Sequence, residues 1–253
     1  RRRWGRIIAP HLLEHLTVRP DGGSRVRPLH QVTTVAALAC ARGWGVVMID
    51  RDTRGLDRAF DAIDESAPGE PVLHPMDLAG VTPDEVDQLL ETVKQERGGL
   101  DAIVHCAAHF KGLSPLEHID PAEWLMHMQV NLNVPWLLSI RALPLLRESA
   151  AGKIVFLLED MEKVAGALWG AYGVGKHALA TLAVQLAEET RSSGIEVRAV
   201  NPGPVRSDVR ARVYHSENPQ QVAEPANAAL RIMDFLDGRS RWSEVIVDLS
   251  LDG

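Results

Sequence analysis

Short apolar runs recur along the chain, each followed by a stretch of helical period. The runs at 46–50 (VVMID) and 153–158 (KIVFLL) lack the polar alternation of a half-exposed strand, and shorter strand candidates stand at 71–74, 101–106 (DAIVHC), 195–200 and 244–249. The first two read as strands buried on both faces, the other four as further strands. Between them lie helical stretches at 32–42, 82–97, 121–148, 168–192 and 225–236. Thr82-Pro83-Asp84-Glu85 is the clearest start: Thr caps, Pro takes the first helical position and Glu returns to the cap amide. Gly98-Gly99 stops that helix. Strands alternating with helices demand a parallel sheet covered on both sides, and right-handed crossovers make it doubly wound. The expected class is α/β, a three-layer α/β/α single domain.

At 253 residues, with 45% apolar and 24% charged residues, the chain suits one such domain. It shows no internal repeat and no linker that would split it. The body covers 31–253. Segment 1–30 differs, with seven Arg against Glu14 and Asp21, three Pro and little periodicity. It reads as an irregular basic segment with a first strand at 5–9 (GRIIA) and an insertion at 10–30, better suited to a solvated arm than to a binding site. Lys+Arg 27 against Asp+Glu 34 gives −7, so nucleic acid is not an expected partner. No apolar run approaches about 18 residues, so no membrane span is expected. Arg6, Pro10, His11, Glu14 and His15 interrupt any secretory leader. The chain opens on Arg rather than Met, which leaves room for residues upstream. Two cysteines, Cys40 and Cys106, make no disulfide framework, and the expected setting is reducing and cytoplasmic. His11-Leu12-Leu13-Glu14-His15 matches an inverted zinc-protease pattern. Three fixed positions in five match cheaply, however, and no metal site is expected.

Ligands of doubly wound sheets bind beyond the carboxyl ends of the strands. That directs attention to Asp50, Asp77, 106–109, Glu159, Asp160 and 201–207. The sharpest signal is Tyr172-Gly173-Val174-Gly175-Lys176 on an expected helix. Positions i and i+4 share a face, and an ammonium beside a phenol stabilises the phenolate, lowering its pKa from about 10. Tyr172 would then be a usable acid/base. Taken alone, the pattern equally suits a surface Lys near a half-buried Tyr.

In context, residues 31–253 resemble the short-chain dehydrogenase/reductase family. The Tyr172–Lys176 helix follows the strand at 153–158 at that family's distance. Asn131, in QVNLNVP, stands where the family has its active-site Asn. His105-Cys106-Ala107-Ala108 replaces Asn-Ala-Gly after the fourth strand. Asp77-Leu78 resembles the Asp–apolar pair beside adenine. Asn201-Pro202-Gly203-Pro204-Val205-Arg206-Ser207 resembles the Pro-Gly segment that meets the nicotinamide carboxamide and diphosphate. The resemblance implies a Rossmann-like fold and an NAD(P)-dependent oxidoreductase acting on a small alcohol or carbonyl. Tyr172 would exchange the proton with the substrate oxygen, Lys176 would lower its pKa and hold the ribose, and Asn131 would support a proton relay. Cofactor contacts would come from Asp50, Arg51, Asp77, Leu78, Cys106, Ala107, Ala108, Tyr172, Lys176, Pro202, Gly203, Val205 and Ser207. Asp50 at a strand end favours the ribose hydroxyls of NAD over NADP, whereas Arg51 would meet a 2′-phosphate; Asp50 could instead only cap the next turn.

The sequence departs from the family in three places. Where a glycine-rich phosphate turn is due after the first strand, Ala9 runs into Pro10-His11-Leu12-Leu13-Glu14-His15, and Gly22-Gly23 have the wrong spacing. Glu159 occupies the position thirteen residues before Tyr172 that normally holds Ser. A hydroxyl donates to a substrate oxygen and an ionised carboxylate cannot; a carboxylate there would also raise the Tyr172 pKa against Lys176. Glu159 could donate if protonated in an apolar pocket, or reach Lys176. Cys106 replaces an Asn and reads as a small packing thiol. The alternative is therefore a catalytically weakened or inactive protein of the same fold, used for binding or assembly. Arg206, Arg210 and Arg212 fall in the family's substrate lid and could receive an anionic substrate. A homodimer or homotetramer is expected, because Leu168, Ala171, Val174, Ala178, Leu179, Leu182, Ala183, Leu186 and Ala187 spread around too much of one helix for a solvated surface.

Overall fold

The computed structural model describes residues 6–10 and 31–252. The inverted zinc pattern, the basic insertion and the stretch where a glycine turn is due lie outside the described residues. The strands are β1 (Arg6–Pro10), β2 (Gly45–Asp50), β3 (Pro71–Pro75), β4 (Ala102–His105), β5 (Lys153–Leu157), β6 (Glu196–Asn201) and β7 (Ile246–Asp248). All pair in parallel, in the order β3-β2-β1-β4-β5-β6-β7. The helices are α1 (Gln31–Ala41), α2 (Thr53–Asp61), α3 (Pro83–Arg97), α4 (Pro121–Met128), α5 (Val134–Glu148), α6 (Met161–Val164), α7 (Gly170–Thr190), α8 (Asp208–Val213) and α9 (Pro225–Leu236). Among the described residues no helix is long and apolar enough to cross a membrane.

The central strands β2, β4 and β5 are nearly continuous in apolar residues because each face of the sheet needs its own set, whereas the edge strands β3 and β7 are only partly buried. Val47, Ile49, Ile103, Ile154, Phe156 and Val197 point into a core with α3, α5 and α7. Their neighbours Val46, Met48, Val104, Val155, Leu157 and Val200 point into a second core with α1, α2 and α9. Strand order reverses between β1 and β4, which opens a crevice beyond their carboxyl ends.

The α3 boundaries follow the sequence signal. Thr82 Oγ1 accepts from Glu85 N at 3.3 Å, Glu85 Oε2 accepts from Thr82 N at 2.8 Å, and Gly98 closes the helix at φ +73°. The short helices α2, α6 and α8 and a break within 121–148 differ from expectation. The polar helix α2 was not among the expected stretches, because its nine residues bury only Gly55, Leu56 and Ala59 and show no extended period. The helical region 121–148 is not uniform: a π-helical turn, Gln129–Asn133, separates α4 from α5. Pro135 has no N–H to give the Asn131 carbonyl four residues back, so regular α-hydrogen bonding lapses there.

Candidate active site

The end of β5, the start of α7 and the segment after β6 enclose a cleft of about 400 Å³. Tyr172 enters it from the first turn of α7. A Cβ on Gly173 would stand 2.1 Å from the Val164 carbonyl oxygen, so only glycine lets α7 lie against α6. A Cβ on Gly175 would meet Asn131 Cβ at 3.4 Å, which keeps the π turn close behind Tyr172. The Tyr172 ring is buried with Phe110 and Val164, under Val209 and Val213 of α8. Phe110 lies edge-on to it with centroids 5.0 Å apart, and Trp169 stacks at 6.0 Å.

The Tyr172 hydroxyl donates to Glu159 Oε1 at 2.8 Å. Burial, the carboxylate charge and this hydrogen bond together push the phenol well above its usual 10. The Lys176 ammonium lies 5.5 Å from the Tyr172 ring centre and donates to the Leu157 carbonyl at 2.7 Å. Burial lowers its pKa, and the nearby Glu159 charge works against that fall. Of the routes open to Glu159 in the sequence, the structure selects the hydroxyl of Tyr172. Cys106 also lines the cleft; burial raises its thiol to about 12 despite Lys176, so it is no nucleophile at neutral pH.

Ala108, Pro202, Gly203, Val205 and Ser207 join these residues in the cleft wall. Gly203 adopts φ +76°, and its N–H donates to Asn201 Oδ1 at 3.0 Å. Other site candidates lie elsewhere. Asn131 is buried outside the cleft wall, its Oδ1 accepting from His109 N at 2.7 Å and its Nδ2 donating to His109 O at 2.9 Å. Asp50 is fully buried and accepts from Asp52 N at 2.8 Å, the turn-capping role. Arg51 and Asp77 face each other at 4.0 Å in solvent. Leu78 and Ala107 pack into the core beneath.

Sequence reasoning missed Phe110, Lys163, Trp169 and Tyr214 as cleft residues. Trp169 had a signal: it lies three positions before Tyr172, one helical turn away. Arg206, Arg210 and Arg212 have partners within the protein. Arg210 makes a two-pronged pair with Glu217 at 2.6 and 2.5 Å, Arg206 reaches Glu224 at 2.7 Å, and Arg212 donates to the Phe110 carbonyl at 2.5 Å.

Comparison with known proteins bears on this arrangement. The profile of the short chain dehydrogenase family matches residues 33–218. "Uncharacterized oxidoreductase YciK" of Escherichia coli K12 is 31% identical over 193 residues, 76% of each chain. A solved short chain dehydrogenase of Salmonella enterica superposes with a TM-score of 0.83 at 27% identity, covering 97% of this chain and 96% of the other. Another from Escherichia coli CFT073, solved with NADPH, gives a TM-score of 0.81 at 26% identity over 97% of both.

Proposed function

The chain belongs to the short-chain dehydrogenase family of oxidoreductases, and from that premise we propose that it is an NADP(H)-dependent enzyme interconverting a small alcohol and its carbonyl. The observation that carries the proposal is the convergence of Tyr172 and Lys176 in one cleft beyond the ends of β4, β5 and β6.

The cleft is of a size that suits a cofactor's nicotinamide end. Lys176 offers a buried ammonium to a ribose, and the Gly203 turn offers backbone that can approach closely, since its φ of +76° keeps a side chain away. Bound NADP(H) supplies the hydride donor or acceptor at its nicotinamide ring. Arg51 supports NADP(H) over the NAD favoured from sequence. Asp50, the residue that would hold ribose hydroxyls, is spent inward on its own turn, while Arg51 stands partly exposed beside it; a neighbour of the same family carries NADPH.

Tyr172 exchanges the proton with the substrate oxygen, and Phe110 and Trp169 shield that transfer from water. To donate, Tyr172 must give the substrate the hydrogen that Glu159 now accepts. The substrate oxygen therefore competes with a carboxylate, and turnover is slow. The same hydrogen bond favours the second reading, a binding protein of this fold without turnover. Fluorescence titration with NADPH and NADH separates them: the first expects saturation by NADPH below about 1 mM, and absence of binding by both cofactors there overturns it.

The outer faces of α4, α5 and α7 expose Leu125, Trp136, Val174 and Val184, each at 45% or more. This supports a homodimer or homotetramer, and light scattering at the 27.7 kDa monomer mass would remove it.

A further inference from the structure

A second group of chemically capable side chains gathers around the π turn. Glu123 and His127 stand four residues apart on α4 and share a face; His109 comes from the loop after β4. Glu123 Oε1 lies 2.6 Å from His109 Nε2 and 3.4 Å from His127 Nε2. One ligating atom from each residue falls within 4.8 Å of the other two. The side chains are shielded, at 13%, 20% and 7% exposure for His109, Glu123 and His127. Asn131 fixes the loop by gripping both the N–H and the C=O of His109.

We propose that His109, Glu123 and His127 form a binding site for a divalent first-row transition ion of the zinc class. Two imidazole nitrogens and one carboxylate oxygen suit such ions, whereas calcium and magnesium take all-oxygen sets. Three protein ligands leave a position for water. With bonds of about 2.0–2.1 Å, tetrahedral donor atoms stand roughly 3.3 Å apart. The His127–Glu123 pair already has that separation, and the His109–Glu123 pair must open by about 0.7 Å to reach it. Binding puts the ion where imidazole protons now face Glu123.

Two neighbours limit the affinity. Lys111 Nζ stands 3.4 Å from Glu123 Oε2 and repels a second cation. Asn131 Nδ2 lies 3.4 Å from His127 Nδ1. An ion on Nε2 leaves the ring proton on Nδ1, facing an amide donor instead of an acceptor, and a mismatched outer partner costs about 10- to 100-fold. The ion's role is to hold structure. His109 continues into Phe110, which packs on Tyr172, so ligation steadies one wall of the cleft.

The full chain, stripped with EDTA, is titrated with Zn²⁺ by calorimetry and with Co²⁺ by visible absorption. The expected result is one ion per chain with the d–d bands of a nitrogen–oxygen site. His127→Gln and Glu123→Ala each weaken binding by about tenfold or more, and Lys111→Met strengthens it about threefold. Circular dichroism checks each variant; should the buried His127 variant fail to fold, Glu123→Ala and Lys111→Met at more exposed positions decide. No Zn²⁺ binding on the order of 0.1 mM, or binding unchanged by Glu123→Ala and Lys111→Met, overturns the proposal.

Discussion

Beyond the ends of β4, β5 and β6, Tyr172 and Lys176 are buried beside Glu159 and Cys106: Tyr172 rises under burial and Glu159, Lys176 falls under burial, and Cys106 rises to about 12. Beyond the ends of β2 and β3, Arg51 and Asp77 face solvent at 36% and 56% side-chain exposure, and the one buried acid, Asp50, turns back onto its own chain. One sheet edge thus carries two regions under opposite rules. Low dielectric makes a proton position worth several kcal/mol, while exposed charges are screened to about 1 kcal/mol or less. The buried region can do proton chemistry; the exposed region can only help to recognise a ligand.

The comparison breaks most sharply at Tyr172. Tyr172→Phe removes one hydroxyl, leaves the ring packed on Phe110 and Val164, and is expected to lower kcat by about 10²–10⁴-fold while the far-UV spectrum and melting point stay close to the parent. Steady-state rates on a panel of ketones and aldehydes with NADPH measure this. A retained rate would mean that the proton comes from elsewhere.

These two regions were also unequally legible in the sequence. β2 and β5 could be read because buried parallel strands leave continuous apolar runs, and α3 because its caps have fixed spacing. Tyr172 and Lys176 could be read together because a helix fixes i and i+4 on one face. Glu159 was visible as a departure, but its choice between Lys176 and Tyr172 depends on tertiary placement. Asp50 shows the limit on the other side: a strand-end acid has the same sequence signature whether it faces a ribose or caps a turn, and only the backbone after β2 decides. The His109–Glu123–His127 cluster was unreadable for a related reason, since His109 joins the i, i+4 pair on α4 only through the fold.

A smaller effect is expected at Glu159, and it tests why the buried region is slow. Glu159→Ser removes the charge and the acceptor that raise the Tyr172 pKa, leaving burial alone. In the oxidation direction the phenolate is the active base. Lowering its pKa enlarges that fraction, so the acid limb of the kcat/KM profile moves to lower pH and the rate at pH 8–9 rises by about tenfold, the effect of one pKa unit. In the reduction direction Tyr172 is protonated at neutral pH with either residue, so the profile stays in place; the gain there comes from the Ser hydroxyl as a second donor to the substrate oxygen. Loss of activity in both directions would show that the carboxylate has a role of its own.

The smallest expected effect belongs to the exposed region. A 2′-phosphate beside Arg51 would gain a charge-assisted hydrogen bond, worth about 1.5–3 kcal/mol when fully formed. Arg51 is 36% exposed and shares its charge with Asp77 at 4.0 Å, so solvent and that acid bring the gain below that range. Arg51→Ala is then expected to raise the KM for NADPH by about fivefold and to leave NADH within about twofold, since NADH has no group for the guanidinium to meet. The NADPH penalty shrinks as salt rises, because both charges are accessible to screening ions. An equal loss with both cofactors would place the contribution of Arg51 in the fold around β2 instead of at a phosphate, and would remove the difference in kind between the two regions. A loss confined to NADPH, with kcat unchanged, sharpens it: recognition on one side of the sheet, proton chemistry on the other.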